Sequence, residues 1–135
     1  MITYSSRNNL YSNTTYSQAA EENVAILVIN TQSVNQMGVL YSWVGSMTGA
    51  LIYVFGIIPQ DPVYGGNLEQ VISQLDAGTA IPITLVSHTV TVGQTNQFFE
   101  ITTSMPYIVI SVETPIGVTI TDVDLKVSYT AKSYG

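Results

Sequence analysis

The sequence contains no cysteine, and this absence excludes disulfide bonds and thiolate chemistry. It is also poor in charge, because Asp, Glu, Lys and Arg make up 9% of its 135 residues, against roughly 25% in an ordinary soluble domain. Ser, Thr, Asn, Gln and nine tyrosines supply polar surface instead. A weakly charged surface gives little of the repulsion that keeps proteins monomeric. The composition therefore favours an assembly subunit or an extracytoplasmic protein.

Positive charge is especially scarce. Arg7, Lys126 and Lys132 are the only Lys or Arg residues, and the net charge is −6. Proteins that neutralise phosphates use clustered Lys and Arg side chains, so three scattered cations argue against nucleic-acid binding and against a polybasic contact with anionic lipid. The N-terminal residues also lack the charged and apolar regions of a secretory signal peptide. If Met1 is native, a protein with the surface of an exterior protein but no export signal is expected to be a virion protein.

The sequence offers no convergent set of catalytic or metal-binding residues. His88 is the only histidine, and Ser87 cannot meet it as a nucleophile, because adjacent strand residues point to opposite faces. We interpret His88 as an inward-facing, hydrogen-bonded residue. Asp122 and Asp124 lie two apart on one strand face and form a weak candidate for a Ca²⁺ site, the alternative being a pair of solvated charges. The sequence therefore predicts no enzymatic activity and no cofactor.

The first 20 residues are polar and nearly uncharged. Their larger apolar and aromatic side chains, Tyr4, Leu10, Tyr11 and Tyr16, are spaced too widely to seed a core. We interpret residues 1–20 as an N-terminal arm that is either disordered or ordered only against another surface. In the second case these four side chains would pack between neighbouring subunits, since tyrosine is enriched at interfaces.

Three strands are predicted in the next part of the chain. Residues 23–31 are apolar on both faces, which predicts a strand that is covered on both sides. Residues 37–44 and 50–58 form two further strands, and the glycine-bounded turn between them predicts a hairpin. Residues 37–58 also lack charge and contain a Gly-x-x-x-Gly spacing, so the alternative is a transmembrane helix or a membrane contact. The β-branched and aromatic residues favour the hairpin.

The one helix that the pattern predicts covers residues 68–77. Its apolar residues recur at i, i+3, i+4 and i+7, which is one face of a helix. Asn67 is suited to cap its first turn and Gly78 to end it. Residues 60–66 break the preceding strand pattern and predict a loop. A single short helix in a β protein is expected to close one end of a sandwich or barrel.

The last third of the chain reads as strands. Residues 83–92 change phase between Leu85 and Val86, which predicts a β-bulge. Three more strands follow at the spacing of a sandwich, over residues 97–103, 107–113 and 118–131. The sequence thus predicts an all-β protein, in which residues 21–135 form an antiparallel β-sandwich (jelly-roll or immunoglobulin-like) with one short helix and an extended N-terminal arm.

The run Gln-Phe-Phe-Glu-Ile-Thr-Thr at residues 97–103, followed by residues 106–112 and 118–120, resembles the closing strands of β-sandwich modules in viral capsid, spike and fibre proteins. The resemblance lies in the regular spacing and the composition of the strands. It implies a jelly-roll or immunoglobulin-like fold. It also implies cyclic or helical assembly through extended terminal arms.

The main functional hypothesis is a structural, self-assembling subunit of a virion (capsid, spike or fibre) or of an extracellular filament. Residues 1–20 would exchange between copies and add a strand to a neighbour's sheet edge. Deleting residues 1–18 should then leave a folded protein that no longer assembles. The expected partners are copies of the chain itself and other virion or surface proteins.

Two alternatives remain open. A carbohydrate- or receptor-binding module would use the tyrosines and Trp43 as a platform for sugars. A membrane-associated protein would be anchored through residues 37–58. Separately, Asn13 begins an Asn-Thr-Thr sequon, which predicts a glycosylation site within the arm.

Overall fold

The chain is mostly β-strand in the part that the computed structural model describes, namely the backbone of residues 2–32, 34–60 and 68–134 and the side chains of residues 11–32, 34–60 and 69–131. Eight strands and one helix lie within these residues. In chain order they are β1 (Ile2–Gln18), β2 (Glu22–Asn30), β3 (Gln36–Val44), β4 (Leu51–Pro59), α1 (Leu68–Ala77), β5 (Ala80–Thr89), β6 (Asn96–Thr102), β7 (Tyr107–Thr114) and β8 (Ile120–Tyr134).

The strands form two four-stranded antiparallel sheets. The first sheet has the order β1-β8-β3-β6 and the second has the order β2-β7-β4-β5. Strands that follow one another in the chain lie in opposite sheets, except β4 and β5, which pair with each other on either side of α1 in the sequence. Two four-stranded sheets connected in this way form a jelly roll. The predicted antiparallel β-sandwich with one short helix is confirmed.

The core lies between the two sheets because inward-facing residues alternate with outward-facing ones along the strands. In β8, Val123, Leu125 and Val127 are fully buried, whereas Lys126 between them is exposed. The first sheet adds residues of β3 and β6, and the second adds residues of β4 and β7; these are Val39, Tyr41, Trp43, Phe99, Ile101, Ile52, Val54, Ile108, Ile110 and Val112. Residues of β8 therefore alternate between the core and the outer face of the first sheet.

The predicted hairpin of residues 37–44 and 50–58 is wrong. β3 pairs with β6 and β8, whereas β4 pairs with β5 and β7 in the other sheet. The turn that carries the chain between the sheets contains Gly45 and Gly49, whose φ angles of 117° and 86° favour glycine. A glycine-bounded turn serves such a crossing as well as it serves a hairpin.

The transmembrane helix that residues 37–58 offered as an alternative is also wrong. This segment is two strands, and no helix in residues 2–32, 34–60 and 68–134 is long and apolar enough to cross a bilayer. The segment lacks charge because β4 is buried on both faces. Ile52 and Val54 face the inter-sheet core, and Phe55 and Ile57 lie in a second apolar cluster on the outer face of the second sheet.

The helix has the predicted bounds, residues 68–77. It ends at Gly78, which has a φ of 75°, and the Thr79 N–H donates to the Gln74 carbonyl at 2.8 Å. The expectation that it closes one end of the sandwich is wrong. Val71 is fully buried in the outer cluster with Phe55, Ile57, Val28, Ala80, Tyr107 and Val109, so α1 covers part of the outer face of the second sheet. The proposed cap Asn67 and most of the loop of residues 60–66 lie outside the described residues.

The predicted bulge in β5 is confirmed. Val54 pairs with Val86 and Phe55 pairs with Thr84, so Leu85 is an extra residue without a partner. Leu85 and Val86 both pack against the inter-sheet core, which explains the change of phase in the sequence.

Candidate assembly surfaces

The N-terminal segment forms an edge strand of its own chain. β1 runs antiparallel to β8, from the pair Ile2–Tyr134 to the pair Gln18–Ile120, and β8 is its only neighbour in the first sheet. The segment is extended, as predicted, but it is ordered against its own sandwich and not only against another surface. The free side of β1 is the longest sheet edge in the described part of the chain.

The C-terminal end of β1 is fixed by buried polar contacts, and we name residues 16–18 the anchor. Tyr16 and Gln18 are 5% and 4% exposed. The Gln18 amide nitrogen donates to the Val112 carbonyl at 2.9 Å, and it also lies 3.2 Å from both Thr114 Oγ1 and the Glu22 carbonyl. The Tyr16 hydroxyl donates to the Gln18 side-chain oxygen. The anchor thus ties β1 of the first sheet to β7 of the second.

The four arm residues therefore differ in their surroundings. Tyr16 lies in the inter-sheet core, so the expectation that none of the four contributes to a core is wrong for this residue. Tyr11 is partly buried and its ring meets that of Tyr16 edge to face, with centroids 6.3 Å apart. Tyr4 and Leu10 lie within β1, and their side chains are outside the described part. That these residues contact other subunits stays a prediction.

The pairing of β1 with β8 is irregular near the anchor. The register shifts between Asn13 and Tyr16 and again between Tyr16 and Gln18. Here a backbone N–H of β8 is bonded to a side chain of β1: the Asp122 N–H donates to Ser17 Oγ at 3.1 Å. Side-chain bonds and bonds to the second sheet therefore add to the β8 pairing of Tyr16 with Val123 and of Gln18 with Ile120.

The other sheet edges are formed by β2, β5 and β6. β2 has a register shift between Ala25 and Leu27, and β5 carries the Leu85 bulge and Pro82, which has no N–H to offer. Bulges and proline are two devices that protect an edge from pairing with another chain. Irregular backbone thus protects edges that the scarce charges leave uncovered.

Large apolar side chains are exposed at several turns and on several strands, including Phe98 of β6 at 51%. The most exposed are Val44, Val92 and Ile116, at 73%, 87% and 82%, and each lies in or beside a turn that connects the two sheets. Ile81 and Ile83 on the edge strand β5 are 48% and 42% exposed. Burial of such surface against a partner would be favourable at about 25 cal/mol per Å².

The structure also locates the two residues that were considered for catalysis, His88 and Ser87. His88 faces inward beside Ile52, its partner in β4, and its Nε2 lies 2.8 Å from Gln94 Oε1. The interpretation of His88 as a hydrogen-bonded inward residue is therefore confirmed. Ser87 pairs with Tyr53 on the opposite face of the strand, so the two residues do not form a nucleophile and base.

Asp122 and Asp124 lie in β8 near the anchor. Asp122 is exposed and has a φ of 50°, whereas Asp124 is partly buried and its Oδ1 has no hydrogen-bond partner among the described residues. No group of three or more His, Cys, Asp or Glu side chains converges in the described part of the chain. Two carboxylates supply only part of the six to eight oxygens that Ca²⁺ takes, so a calcium role stays a prediction.

Trp43 and three of the nine tyrosines cannot take part in the proposed sugar platform, and a platform built from the other tyrosines stays a prediction. Trp43 is 2% exposed, and Tyr16, Tyr41 and Tyr107 are buried as well. A ring stacks on a sugar only if one face is open, so these four rings cannot serve. The predicted glycosylation residue, Asn13, is partly buried and its Oδ1 accepts a hydrogen bond from the Thr15 N–H at 3.0 Å; its modification stays a prediction.

Alkaline pH is expected to destabilise the fold through the buried phenols. Burial raises the pKa of Tyr41 well above the ordinary value of 10.0, and it raises the pKa of Tyr16 in the same direction. A raised pKa in the folded state means that stability is complete below pH 10 and falls as the pH rises above it. Urea unfolding at a series of pH values should show this decline. Tyr41→Phe should lose about 1 kcal/mol at pH 7 and show a shallower alkaline decline, and an equal slope in both proteins would contradict the assignment.

No protein-family model matches the chain, and no curated protein matches its sequence. Its fold is similar to those of several solved structures. It matches a chain in the structure of the infectious bursal disease virus Gx strain over 100% of its own length, with a TM-score of 0.57 and 11% identity. It matches the VP2 subviral particle of the same virus over 99%, with a TM-score of 0.55 and 14% identity. It matches the SPBc2 prophage-derived protein YomS over 98%, with a TM-score of 0.50 and 11% identity.

The coverage of these proteins differs. The chain spans 34% and 33% of the two viral chains, whereas it spans 96% of the YomS chain. At such low identity the likeness concerns the fold alone. The predicted resemblance to β-sandwich structural proteins of viruses is confirmed at that level.

Proposed function

We propose that this chain is a non-enzymatic structural subunit of a virion that works by packing against copies of itself. The observation that carries the proposal is its fold likeness, over nearly all of its length, to chains from viral particles. Fold alone does not determine function, so the proposal also draws on the surface. The chain has few charges to keep copies apart, and it exposes apolar side chains on its turns and on β5.

We further propose that β1 mediates the contact between copies by strand exchange, as an arm on the sandwich of residues 21–135. In its own sheet β1 has a single neighbour, β8, so the β8 of another copy would offer it the same hydrogen bonds. Exchange of an identical element requires no new surface. In this arrangement Tyr4, Leu10 and Tyr11 would contact the neighbouring subunit.

Deletion of residues 1–18 is no longer a clean test of this idea. It would remove Tyr16 and Gln18, which are buried in the core and bonded to the second sheet. Loss of assembly in that variant would not be distinguishable from loss of the fold. A test that keeps the whole chain is needed.

The absence of cysteine allows such a test with the variant Ser12→Cys/Lys126→Cys. These residues are exposed and directly opposite each other in β1 and β8. Oxidation in very dilute solution should close β1 onto its own body, so we expect monomers by light scattering. Reduction should then restore the rings, shells or filaments that the unmodified chain is expected to form in electron micrographs.

Two results would count against these proposals in different ways. Assembly of the oxidised variant to the same extent as the reduced one would show that strand exchange is not the contact. A monomeric unmodified chain at every concentration would contradict self-assembly itself. Ser42→Cys/Asn96→Cys is the matched control, because it links the exposed partners in β3 and β6 and should leave assembly unchanged.

A further inference from the structure

Resting on the proposed strand exchange, we infer that only residues 2–13 leave the body and that the anchor, residues 16–18, remains in its own sandwich. The chain would then cross to the neighbouring copy between Asn13 and Tyr16. This crossing point lies inside β1, not in the turn of residues 19–21 that connects β1 to β2.

The contacts of the anchor support this division. The Gln18 amide is buried and donates to carbonyls of β7 and of Glu22, the first residue of β2. The buried Tyr16 hydroxyl donates to the Gln18 side-chain oxygen. A buried polar group that loses its hydrogen bond destabilises the structure. A neighbouring copy could re-form the anchor's bonds only after they have been broken, so extraction of the anchor would pass through a state in which several buried groups are unpaired. Residues 12, 14 and 15 of the preceding segment are already exposed and meet no such barrier.

The turn that follows the anchor is also held in place. The Glu21 N–H donates to the Thr114 carbonyl at 2.7 Å, and Thr114 Oγ1 donates to the Ala19 carbonyl at 2.5 Å. Thr114 is fully buried. A crossing point within residues 19–21 would have to break these bonds.

The segment between Asn13 and Tyr16, in contrast, is already irregular. The β1–β8 register shifts there, as it also does between Arg7 and Tyr11 and between Tyr16 and Gln18, so the ladder is already interrupted at the proposed crossing point. Of these three places, the one between Asn13 and Tyr16 immediately precedes the anchor. The Thr15 N–H donates to the side chain of Asn13, and Thr15 has no partner in the β1–β8 register. Irregular backbone at the end of a regular strand is where a hinge is expected.

Two pairs of cysteines on either side of the proposed crossing point test the inference in the assembled full-length chain. Ser12→Cys/Lys126→Cys reports on the exchanged part. Ser17→Cys/Asp122→Cys reports on the anchor, since both residues are exposed and Ser17 Oγ contacts the Asp122 backbone. A short bismaleimide is added to each assembled variant, and the products are separated on a denaturing gel.

We expect the first pair to link different chains and the second pair to link residues of the same chain, with at least a several-fold difference in the dimer fraction. Inter-chain links at both pairs would place the crossing point in residues 19–21 and overturn the inference while leaving strand exchange intact. Links within one chain at both pairs would overturn strand exchange as well. Inter-chain links at the second pair alone would contradict both. Ser42→Cys/Asn96→Cys should always link within one chain.

Discussion

Leu125→Ala is expected to lower the free energy of unfolding by about 2–5 kcal/mol, the usual range for a leucine truncated in a core. Leu125 is fully buried and lies in β8, between Asn13 of β1 and Trp43 of β3. β8 has strands on both sides in the first sheet and faces the second sheet. Neighbouring side chains on three sides cannot all move into the space that the leucine leaves, so a cavity should remain.

The loss should be measured by urea unfolding of the monomeric form, followed by circular dichroism. Lys126→Gln is the matched control, because Lys126 is the next residue of β8 and its side chain is exposed. Surface changes of this kind usually lie within about 0.5 kcal/mol of the original protein. A Leu125→Ala loss below about 1 kcal/mol would show that the space between the sheets is not closely packed here.

Gln18→Glu is expected to have the second large effect, with a loss of about 3–5 kcal/mol at pH 7, as for an uncompensated buried charge. The substitution keeps the shape of the side chain but replaces its amide nitrogen with oxygen. That nitrogen now faces the Val112 carbonyl, the Glu22 carbonyl and Thr114 Oγ1. A carboxylate at this place would meet two carbonyl oxygens that repel it.

The loss should depend on pH with a definite sign. Burial among acceptors raises the pKa of the new carboxyl group in the folded state above about 4.3, the value of an unperturbed Glu. The variant should therefore be most stable below that value and lose stability as the pH rises. Gln18→Ala removes the same bonds without adding charge, so its loss should be smaller and independent of pH between 4 and 7. Parallel pH profiles of the two variants would contradict the placement of Gln18 in the core.

Much of the fold follows from local sequence patterns. The bounds of α1 follow from its apolar spacing and Gly78, and the β5 bulge follows from the change of phase at Leu85. The bounds of β2 to β8 agree with the predicted strands to within three residues, since periodicity reports which side chains face a core. These features depend on residues that are close together in the chain. β1 was predicted as an arm and not as a strand of its own sandwich.

The pairing of strands does not follow from the same patterns. β3 and β4 read as neighbours joined by a tight turn, yet each is hydrogen-bonded to strands from the far part of the chain. Alternation shows that a strand has a buried face, but it does not show which backbone lies beside it. That choice is made by the topology of the whole sandwich.

The anchor was missed for a related reason. Tyr16 and Gln18 stand in a polar segment where nothing local indicates burial. Gln18 is accommodated in the core because Val112 and Thr114, more than 90 positions away, accept its hydrogen bonds. The only local signal was the reduced charge of the segment, and this is shared by exposed arms. A buried, fully bonded glutamine is visible only in the folded structure.

The order of strands in the first sheet has a consequence for biosynthesis. Of the eight described strands, β1 is synthesised before the other seven, and its partner β8 is synthesised after them. Contacts between distant parts of a chain form late, because a large loop must close first. Every nascent copy therefore carries an unpaired β1 until β8 has been synthesised. Sister chains on one messenger would meet in that interval, when pairing with a neighbour competes directly with closure on the same chain.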